Sequence, residues 1–486
     1  MIFPVCVRYL SVSLFGFFLI LLSCGGSEDI EISFSNSGNP SPSAEPSAEE
    51  NNFGEILTAH HHFYGNTEKE FFGSALSIED VNGDGQEDIL VGAYGADING
   101  NNSGAAYLFQ APLLESHVLQ FVGMEPKDHA GLQVLLHKDF SGDGKADVVI
   151  AAPYNKTIYL FRSQSLLLFN TNSINLEQAD YIIIGENAGD YIGWSLCSTP
   201  DFDGDGRSEI LIGADGVDYG SFSGGMTYLL FSQTLIQETR FNIEISDRKF
   251  VGDTPLENSG QAVTSGDLDG DGIGDIIIGA DGNDRGGENS GAVYINFGSR
   301  LQNLDLPLSL SDRILYPEIE FGEAGSALSS EHDFNGDGYE DLLIGAPSPQ
   351  PRSNNPGMVY LVEGGNIEYT NLENAPYRFH GNYDNTGFSV SFVDDIDLDG
   401  RAEVFIGAPQ LYTDTEGGFS YFWPSSTIEQ GTMLVSQSPY AITTTQPRAR
   451  LGYTIGFVAL ENEIQLLVGA PEENSTGLLH LIYMEE

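Results

Sequence analysis

Six nine-residue segments of this chain carry oxygen-bearing side chains at fixed positions. They are DVNGDGQED (80–88), DFSGDGKAD (139–147), DFDGDGRSE (201–209), DLDGDGIGD (267–275), DFNGDGYED (333–341) and DIDLDGRAE (395–403). Positions 1, 3, 5 and 9 always offer an oxygen, and a glycine at position 6 permits a sharp bend. Ca²⁺ takes six to eight oxygen ligands, which such a turn can bring to one point. The spacing therefore predicts about six Ca²⁺ sites.

In each loop we expect the side chains at positions 1, 3, 5 and 9, and the backbone carbonyl at position 7, to bind the ion. The candidate ligands are Asp80, Asn82, Asp84, Gln86 and Asp88; Asp139, Ser141, Asp143, Lys145 and Asp147; Asp201, Asp203, Asp205, Arg207 and Glu209; Asp267, Asp269, Asp271, Ile273 and Asp275; Asp333, Asn335, Asp337, Tyr339 and Asp341; and Asp395, Asp397, Asp399, Arg401 and Glu403.

These loops are predicted to be structural rather than catalytic. An EF-hand would need Glu at position 12, where this chain has Val or Ile, such as Val91 and Ile150. If each site has the ~10⁻⁴ to 10⁻³ M affinity of extracellular modules, about 1 mM Ca²⁺ stabilises by roughly 0.4 to 1.4 kcal/mol per site. The alternative interpretation is that the segments are only hydrophilic turns, but six copies in one register favour ion binding.

The loops belong to a longer repeat. A short word recurs at Gly92-Ala93, Ala151-Ala152, Gly213-Ala214, Gly279-Ala280, Gly345-Ala346, Gly407-Ala408 and Gly469-Ala470. An apolar run precedes each word, a second apolar segment follows it, and a glycine-led strand and a more polar strand complete each unit. Four strands in each of seven units predict an all-β fold, a seven-bladed β-propeller.

Closure of the ring involves the first residues of the repeat region. The seventh unit ends at Glu486 without room for a fourth strand, while the segment 54–65 precedes the first unit unclaimed. We therefore predict that this N-terminal segment completes the last blade and leaves no open sheet edge at the seam. This places His60, His61 and His62 on an outer strand, with a histidine metal site as the alternative. The seventh unit lacks the ligand spacing at 456–465 and is expected to bind no ion.

Composition limits the function classes. The 486 residues include 71 Asp and Glu against 19 Lys and Arg, a formal net charge of −52. Such a field repels phosphate backbones, which excludes nucleic-acid binding. A hydrophobic fraction of 41% is too high for a disordered acidic chain, so the acidity lies on a folded body.

The N-terminus predicts export. Residues 1–23 have one positive charge, Arg8, and then an apolar stretch, as in a secretory signal peptide. Leu21-Leu22-Ser23-Cys24 resembles the lipobox of bacterial lipoproteins, which implies a lipid anchor at Cys24; an ordinary signal peptide is the alternative. Residues 24–52, rich in Ser, Pro and Glu, are predicted to form a disordered tether. We therefore expect a chain held in a bacterial cell envelope, at the outer membrane or cell surface.

Cys197 is the only cysteine left after signal removal and acylation of Cys24, so no intramolecular disulfide is predicted. Its apolar neighbours Trp194 and Leu196 indicate a small buried hydrophobe rather than a nucleophile.

The repeat resembles a known family. Phe72-Gly73-Ser74-Ala75-Leu76, the loop at 80–88 and the Gly-Ala-Pro words that end at Pro347, Pro409 and Pro471 are similar to FG-GAP repeats. These repeats form the seven-bladed propeller of integrin α subunits. The resemblance covers residues 53–486 and implies Ca²⁺ in the loops of one face and ligand contacts on the other. It departs where Phe is replaced before the other glycines and where Tyr94, Asp215 and Asp281 replace Pro. Leg domains are absent, so pairing with a β subunit is not implied.

Three functions remain open. The first is a non-catalytic adhesion or binding module, a monomer, that presents the face opposite the ion loops to an extracellular protein or glycan. The second is a lectin-like carbohydrate-binding propeller that uses Tyr94, Tyr219 and Tyr383 of that face. The third is a propeller enzyme acting on polysaccharide, although the chain has no HExxH, GxSxG or Cys-His signature. Polar loops on that face could equally be ordinary solvated connections.

Overall fold

The computed structural model describes residues 55–57, 59, 61–111, 118–169, 171–218, 222–235, 238–301, 305–317, 319–348, 356–365, 367–368, 370–411, 416–460 and 463–483. The predicted signal peptide, Cys24 and the predicted tether therefore lie outside the described residues, as do His60 and Tyr219.

Seven sheets follow one another along the chain, and each contains four antiparallel strands, as the repeat predicted. Their strands, from the channel outward, are Ala75–Glu79, Asp88–Ala93, Ala105–Phe109 and Val118–Val122 in blade 1; Gln133–His137, Asp147–Ala152, Thr157–Phe161 and Tyr181–Ile184 in blade 2; Ser195–Thr199, Glu209–Ala214, Met226–Leu230 and Arg248–Val251 in blade 3; and Ser259–Gly266, Asp275–Ala280, Ala292–Asn296 and Arg313–Leu315 in blade 4.

The remaining three blades have the same order. Their strands are Ala327–His332, Asp341–Ala346, Met358–Val362 and Tyr377–His380 in blade 5; Ser389–Val393, Glu403–Ala408, Phe419–Trp423 and Tyr440–Thr443 in blade 6; and Thr454–Leu460, Glu463–Ala470, Leu478–Tyr483 and His61–Tyr64 in blade 7.

The N-terminal strand closes the ring, which confirms the prediction made from the unclaimed segment. His61–Tyr64 pairs antiparallel with Leu478–Tyr483, with Phe63 opposite Leu479. At this seam His62 Nδ1 lies 3.1 Å from His480 Nδ1, and His480 Nε2 lies 2.8 Å from the carboxylate of Glu473. Since His61–Tyr64 and the last strand of the chain share one sheet, blade 7 has all four strands and the ring is closed at the seam.

Five blades carry a short fifth strand that the sequence analysis did not predict. Each pairs parallel to the outermost strand of its blade but comes from the chain of the next blade, in four cases from the connection between that blade's third and fourth strands. They are Ser173–Asn175 on blade 1, Arg240–Asn242 on blade 2, Leu306–Pro307 on blade 3, Gly431–Leu434 on blade 5 and Glu55–Ile56 on blade 6. These pairings tie neighbouring blades together at the rim.

Helices in the described part of the chain are short. The α-helices are Ser163–Leu166 and Ser232–Leu235, and the 3₁₀ turns are Pro153–Asn155, Leu176–Gln178, Ile243–Ile245, Gly298–Arg300, Leu308–Leu310, Leu372–Asn374, Ser425–Thr427, Val435–Gln437 and Glu473–Ser475. Within these described ranges, no helix is long and apolar enough to cross a membrane.

The hydrophobic core is divided among the seven interfaces between blades. The second strand is fully buried in blades 1 to 6, as its unbroken apolar run predicted, because neighbouring sheets cover both its faces. One cluster packs blade 7 on blade 1 through Phe63, Leu467 and Val91. Each interface therefore buries one face of two adjacent sheets, and the ring closes without a separate central core.

Cys197 lies on the inner strand of blade 3 and is partly rather than fully buried, since inner strands line the central channel. Burial raises the pKa of its thiol to about 12, so the nucleophilic thiolate is scarce at neutral pH.

Candidate metal centres and the opposite face

The six acidic loops connect the first and second strands of blades 1 to 6, all at one end of the propeller. In the loop of blade 3, Asp201 Oδ1 accepts from the amide of Gly204 at 2.7 Å and Oδ2 accepts from the amide of Gly206 at 2.8 Å. Gly206 has a φ of +84°, a left-handed conformation that suits glycine. The turn therefore folds around its own first aspartate and directs the other oxygens inward.

Carboxylates converge in three of these loops within the described ranges. Single ligand atoms lie within 4.8 Å of one another in three groups: Asp201, Asp203, Asp205 and Glu209; Asp267, Asp269 and Asp271; and Asp395, Asp397 and Glu403. The loops of blades 1, 2 and 5 place the neutral side chains of Asn82, Ser141 and Asn335 at the third position instead. The three carboxylate groups of blades 3, 4 and 6 could hold a metal ion.

Two buried glutamates provide a test of whether the loops fit a cation. Glu209 and Glu403 occupy the ninth position and are 0% exposed. One oxygen of each accepts a backbone N–H, from Phe202 at 2.8 Å and from Ser425, whereas Oε1 of each is buried without a hydrogen-bond partner. An unpaired buried carboxylate oxygen beside further carboxylates is unfavourable unless a cation binds there. The donor set is all oxygen, which fits Ca²⁺.

The ninth-position acids share a second property. Burial raises the pKa of Asp88 to about 6, of Asp147, Asp275 and Asp341 to about 7, and of Glu209 to about 8. Desolvation disfavours the charged form of each, and neighbouring aspartates add to the effect. A bound divalent cation would favour the ionised form and oppose both causes.

Blade 7 differs as the sequence predicted. Its first strand ends at Leu460 and its second strand begins at Glu463, so only two residues separate these strands, whereas the other blades have an acidic nonapeptide there.

The opposite end of the propeller has a cavity of about 340 Å³ at the mouth of the central channel. Residues of all seven blades line it, among them Tyr94, Trp194, Asp281, Phe388 and Tyr453. Of the predicted ligand-face residues, Tyr94 thus lines this cavity. Tyr383, also on this face, is 55% exposed and does not line the cavity.

Aromatic rings form a continuous arc across blades 1 to 3 on this face, which the sequence analysis missed. Phe71 stacks on Tyr94 with ring centroids 4.9 Å apart, and Tyr94 lies 5.8 Å from His129. The arc continues through Tyr154, 4.7 Å from His129, to Tyr191 and Trp194 at steps of 5.3 and 5.9 Å. We call these six residues the aromatic arc.

The backbone that presents this face has a left-handed residue in every blade. The residue two positions before the strand-opening glycine has a φ between 51° and 63° in all seven. These residues are Phe71, His129, Tyr191, Asn258, Glu323, Asn385 and Arg450. Left-handed conformations of bulky residues cost on the order of 1–3 kcal/mol each and cluster at functional sites. The signal was present in the sequence as a fixed offset from the glycine, but the residue types vary too much to reveal it.

The residue directly before the left-handed residue is a buried carboxylate in blades 1, 4 and 6, and it holds the loop that leads into the first strand. Glu70 is 1% exposed, accepts from the amides of Asn66 and Thr67 at 2.6 and 2.7 Å, and accepts from the hydroxyl of Tyr107. Tyr294 donates to Glu257 and Tyr421 to Asp384 in the same register. The tyrosine is the middle residue of the third strand each time, so the sheet itself anchors the loop of the opposite face.

Comparison with known proteins gives the same classification. A family model described as "FG-GAP repeat" matches residues 72–109, 192–230, 259–296 and 324–362, in blades 1, 3, 4 and 5. Integrin alpha-PS2 of Drosophila melanogaster is 34% identical over 43% of this chain and 15% of that protein. Phosphatidylinositol-glycan-specific phospholipase D of Homo sapiens is 30% identical over 48% of this chain and 29% of that protein. Integrin alpha pat-2 of Caenorhabditis elegans is 28% identical over 43% of this chain and 17% of that protein.

The matched region spans less than a third of each of these relatives. The region that each relative shares with this chain is therefore about as long as part of a propeller, and much shorter than the whole relative. Repeats, blades and relatives agree: the chain is an integrin-alpha-like, seven-bladed β-propeller with FG-GAP repeats matched in four of its blades.

Proposed function

We propose that this protein is a surface-anchored, Ca²⁺-binding propeller that acts as a non-catalytic adhesion or binding module for an extracellular protein or glycan. The aromatic arc is the observation that carries this proposal. Six aromatic rings extend across three blades on one face, and two of them, Tyr94 and Trp194, line the cavity at the channel mouth.

The chemistry of that face favours recognition. Tyr and Trp supply large, rigid contact area with a polar tip, which makes them frequent anchors of binding surfaces. Tyr154 is 49% exposed, so the arc is accessible to a partner. The polar loops around it offer hydrogen-bonding groups, and the left-handed residues hold the rings in fixed positions before any partner arrives.

Structural Ca²⁺ is the second component of the proposal. About six ions in the acidic loops would stabilise the end of the propeller away from the aromatic arc. The unpaired oxygens of Glu209 and Glu403 support it, since each is buried among carboxylates. The ions are assigned to stability, because the cavity and the arc lie at the opposite end.

A lectin-like function is the second candidate. Sugar rings stack on exposed aromatic faces, and Tyr154 and Tyr383 present such faces at 49% and 55% exposure. Tyr94, Tyr219 and Tyr383 remain the proposed ligand-face residues for this alternative. The phospholipase D activity in the name of some relatives belongs to those proteins, of which this chain covers under a third.

The N-terminal residues support a proposal for the location of the protein. We propose that the mature chain begins at acylated Cys24 and that residues 24–52 tether a monomeric propeller to a bacterial envelope membrane. Incorporation of labelled palmitate into the wild-type chain, lost in Cys24→Ser, would support the anchor. Equal labelling of both would contradict it.

Binding arrays test the proposed face. The protein is applied to an array of purified glycans and to a panel of purified secreted proteins, together with Tyr94→Ala, Tyr154→Ala and the control Tyr64→Ala. Tyr64 is as exposed as Tyr383, at 55%, but lies on the outer strand of blade 7. We expect the two arc variants to lose at least about tenfold in affinity, as truncated binding anchors do, and Tyr64→Ala to bind as the parent does. Equal binding by all would refute the assignment of the face.

The arrays also separate the two candidates. A signal on glycans that the triple variant of Tyr94, Tyr219 and Tyr383 to Ala abolishes would favour the lectin. A signal confined to proteins would favour the adhesion module.

A further inference from the structure

The second residue after the third strand lies beside the acidic loop of its own blade and differs among the blades. It is a buried serine in blades 2, 3 and 6, with exposures of 4%, 0% and 2%, and it lacks a hydroxyl in blades 1, 4 and 5. The serines are Ser163, Ser232 and Ser425, and the other three residues are Ala111, Gly298 and Gly364.

Each serine hydroxyl donates a hydrogen bond to the aspartate at the fifth position of the loop. The Oγ–Oδ2 distances are 2.7 Å from Ser163 to Asp143, 2.9 Å from Ser232 to Asp205 and 3.0 Å from Ser425 to Asp399. The fifth position is one of the predicted ion ligands. Nothing in the nonapeptide itself indicates this contact, because the serine follows 20 to 27 residues later.

The backbone at this position makes a second contact with the loop. The amide of Ser163 donates to Oδ1 of Asp147, the ninth-position ligand, at 2.8 Å. Ala111, Gly298 and Gly364 make the equivalent amide contact with Asp88, Asp275 and Asp341 at 2.7 to 2.9 Å. Blades 1, 2, 4 and 5 therefore hold the ninth-position carboxylate in this way, as blade 6 does through the amide of Ser425, whereas the hydroxyl that binds the fifth-position carboxylate is present in blades 2, 3 and 6 only.

The hydrogen bond fixes the orientation of a side chain that would otherwise rotate on the surface. Asp143 is exposed apart from this contact, and its Oδ1 accepts only weakly from the amide of Lys145, at 3.2 Å. Partners that orient metal ligands typically change metal affinity by about 10- to 100-fold. The buried serine is rigid, so the carboxylate oxygen is in place before the ion binds.

We propose that Ser163, Ser232 and Ser425 are positioning residues for a divalent cation. Among sites with the same number of carboxylates, those with the serine bind the ion more tightly: blade 2 more tightly than blades 1 and 5, and blades 3 and 6 more tightly than blade 4. This inference rests on the proposed function in one respect, the assignment of cations to the loops.

The test is a Ca²⁺ titration of the full chain, in which calorimetry measures the affinities and native mass spectrometry counts the bound ions. Ser163→Ala should weaken one site by about 10- to 100-fold, with the ion count at saturating Ca²⁺ unchanged. The matched control is Ser165→Ala in the same helix, whose hydroxyl donates to Asp180 rather than to the loop, at 2.8 Å. This control should titrate as the parent does.

A gain-of-function variant distinguishes positioning from a structural role. Ala111→Ser places the hydroxyl next to Asp84 in blade 1 and should tighten one site by about tenfold, which a purely structural serine would not do. It also decides the matter if Ser163→Ala fails to fold.

Titrations of Ser163→Ala and Ala111→Ser that superimpose on the parent, with about six ions bound in each, would overturn this inference and leave the proposed ion sites intact. A parent that binds no Ca²⁺ would overturn both.

Discussion

Lys145, in the acidic loop of blade 2, donates a hydrogen bond from its ammonium group to the backbone carbonyl of Asn82, in the loop of blade 1, at 2.5 Å. Its side chain covers Gly83, where an added Cβ would lie 2.7 Å from the Lys145 Cε. The next amide, that of Ala146, donates to the carbonyl of Asp80 at 3.0 Å. The acidic loops of blades 1 and 2 are therefore joined directly by two hydrogen bonds.

Removal of this link should measurably weaken the propeller. Lys145→Ala is expected to lower the free energy of unfolding by about 1 kcal/mol, because a charged hydrogen bond between two blades is lost. Urea unfolding in constant Ca²⁺ measures the change.

The control for Lys145→Ala removes the same charge elsewhere. Arg240 pairs with Glu177 at 3.2 Å, with side chains 53% and 47% exposed, so Arg240→Ala should cost less than about 0.5 kcal/mol. Equal losses from the two variants would show that Lys145 acts only through net charge.

The buried tyrosine–carboxylate pair of blade 6 makes a second prediction. Tyr421 donates to Asp384 at 2.8 Å, and both residues are at most 2% exposed. Tyr421→Phe should destabilise by about 1–3 kcal/mol, because the buried carboxylate loses a donor. Thermal or urea unfolding measures the loss.

Blade 5 offers a matched control for this substitution. Tyr360 occupies the same strand position, but its hydroxyl is buried without a hydrogen-bond partner. Tyr360→Phe should therefore be neutral or slightly stabilising. If both variants lose the same stability, the pair with Asp384 contributes nothing.

Asp215, on the face opposite the acidic loops, should make the stability of the protein depend on pH. Its Oδ1 is buried without a partner, and burial, aided by repulsion from Asp281, raises its pKa from 3.8 to about 7. Between these values the folded protein holds a proton that the unfolded chain releases. The contribution of Asp215 to stability therefore falls as the pH rises through that window.

Asp215→Asn removes this titration and should unfold at a higher temperature than the parent at pH 8, by about 1–3 °C. At pH 5 the two should differ less. Melting at both pH values in fixed Ca²⁺ measures the difference, and Asp97→Asn, in the exposed loop of blade 1, should follow the parent. An Asp215→Asn variant that tracks the parent at both pH values would show that the carboxylate is not desolvated in solution.

Much of the architecture was predictable because the repeat encodes it. The apolar runs before the Gly-Ala words predicted second strands buried on both faces. The missing fourth strand of the seventh unit predicted that the segment 54–65 completes blade 7, and His61–Tyr64 of that segment is the strand that does so. The oxygen spacing of the nonapeptides predicted convergent loops, of which the loop of Asp201 and Glu209 is the most complete.

What sequence reasoning missed depends on register between distant segments. Ser173–Asn175 is too short to show a period of two, so its pairing with blade 1 left no pattern. Ser232 meets Asp205 only because the third strand ends beside the acidic loop. The aromatic arc mixes Phe, Tyr, His and Trp at four different positions of the repeat, so no single motif marks it.

The most direct test of the account is thermal unfolding of the protein in EDTA and in about 1 mM Ca²⁺, combined with metal counting by mass spectrometry. Six sites of roughly 0.4 to 1.4 kcal/mol each predict a rise of several degrees in melting temperature and about six bound ions. An unchanged melting temperature with no bound ion would contradict the account, and the acidic loops would then be turns alone.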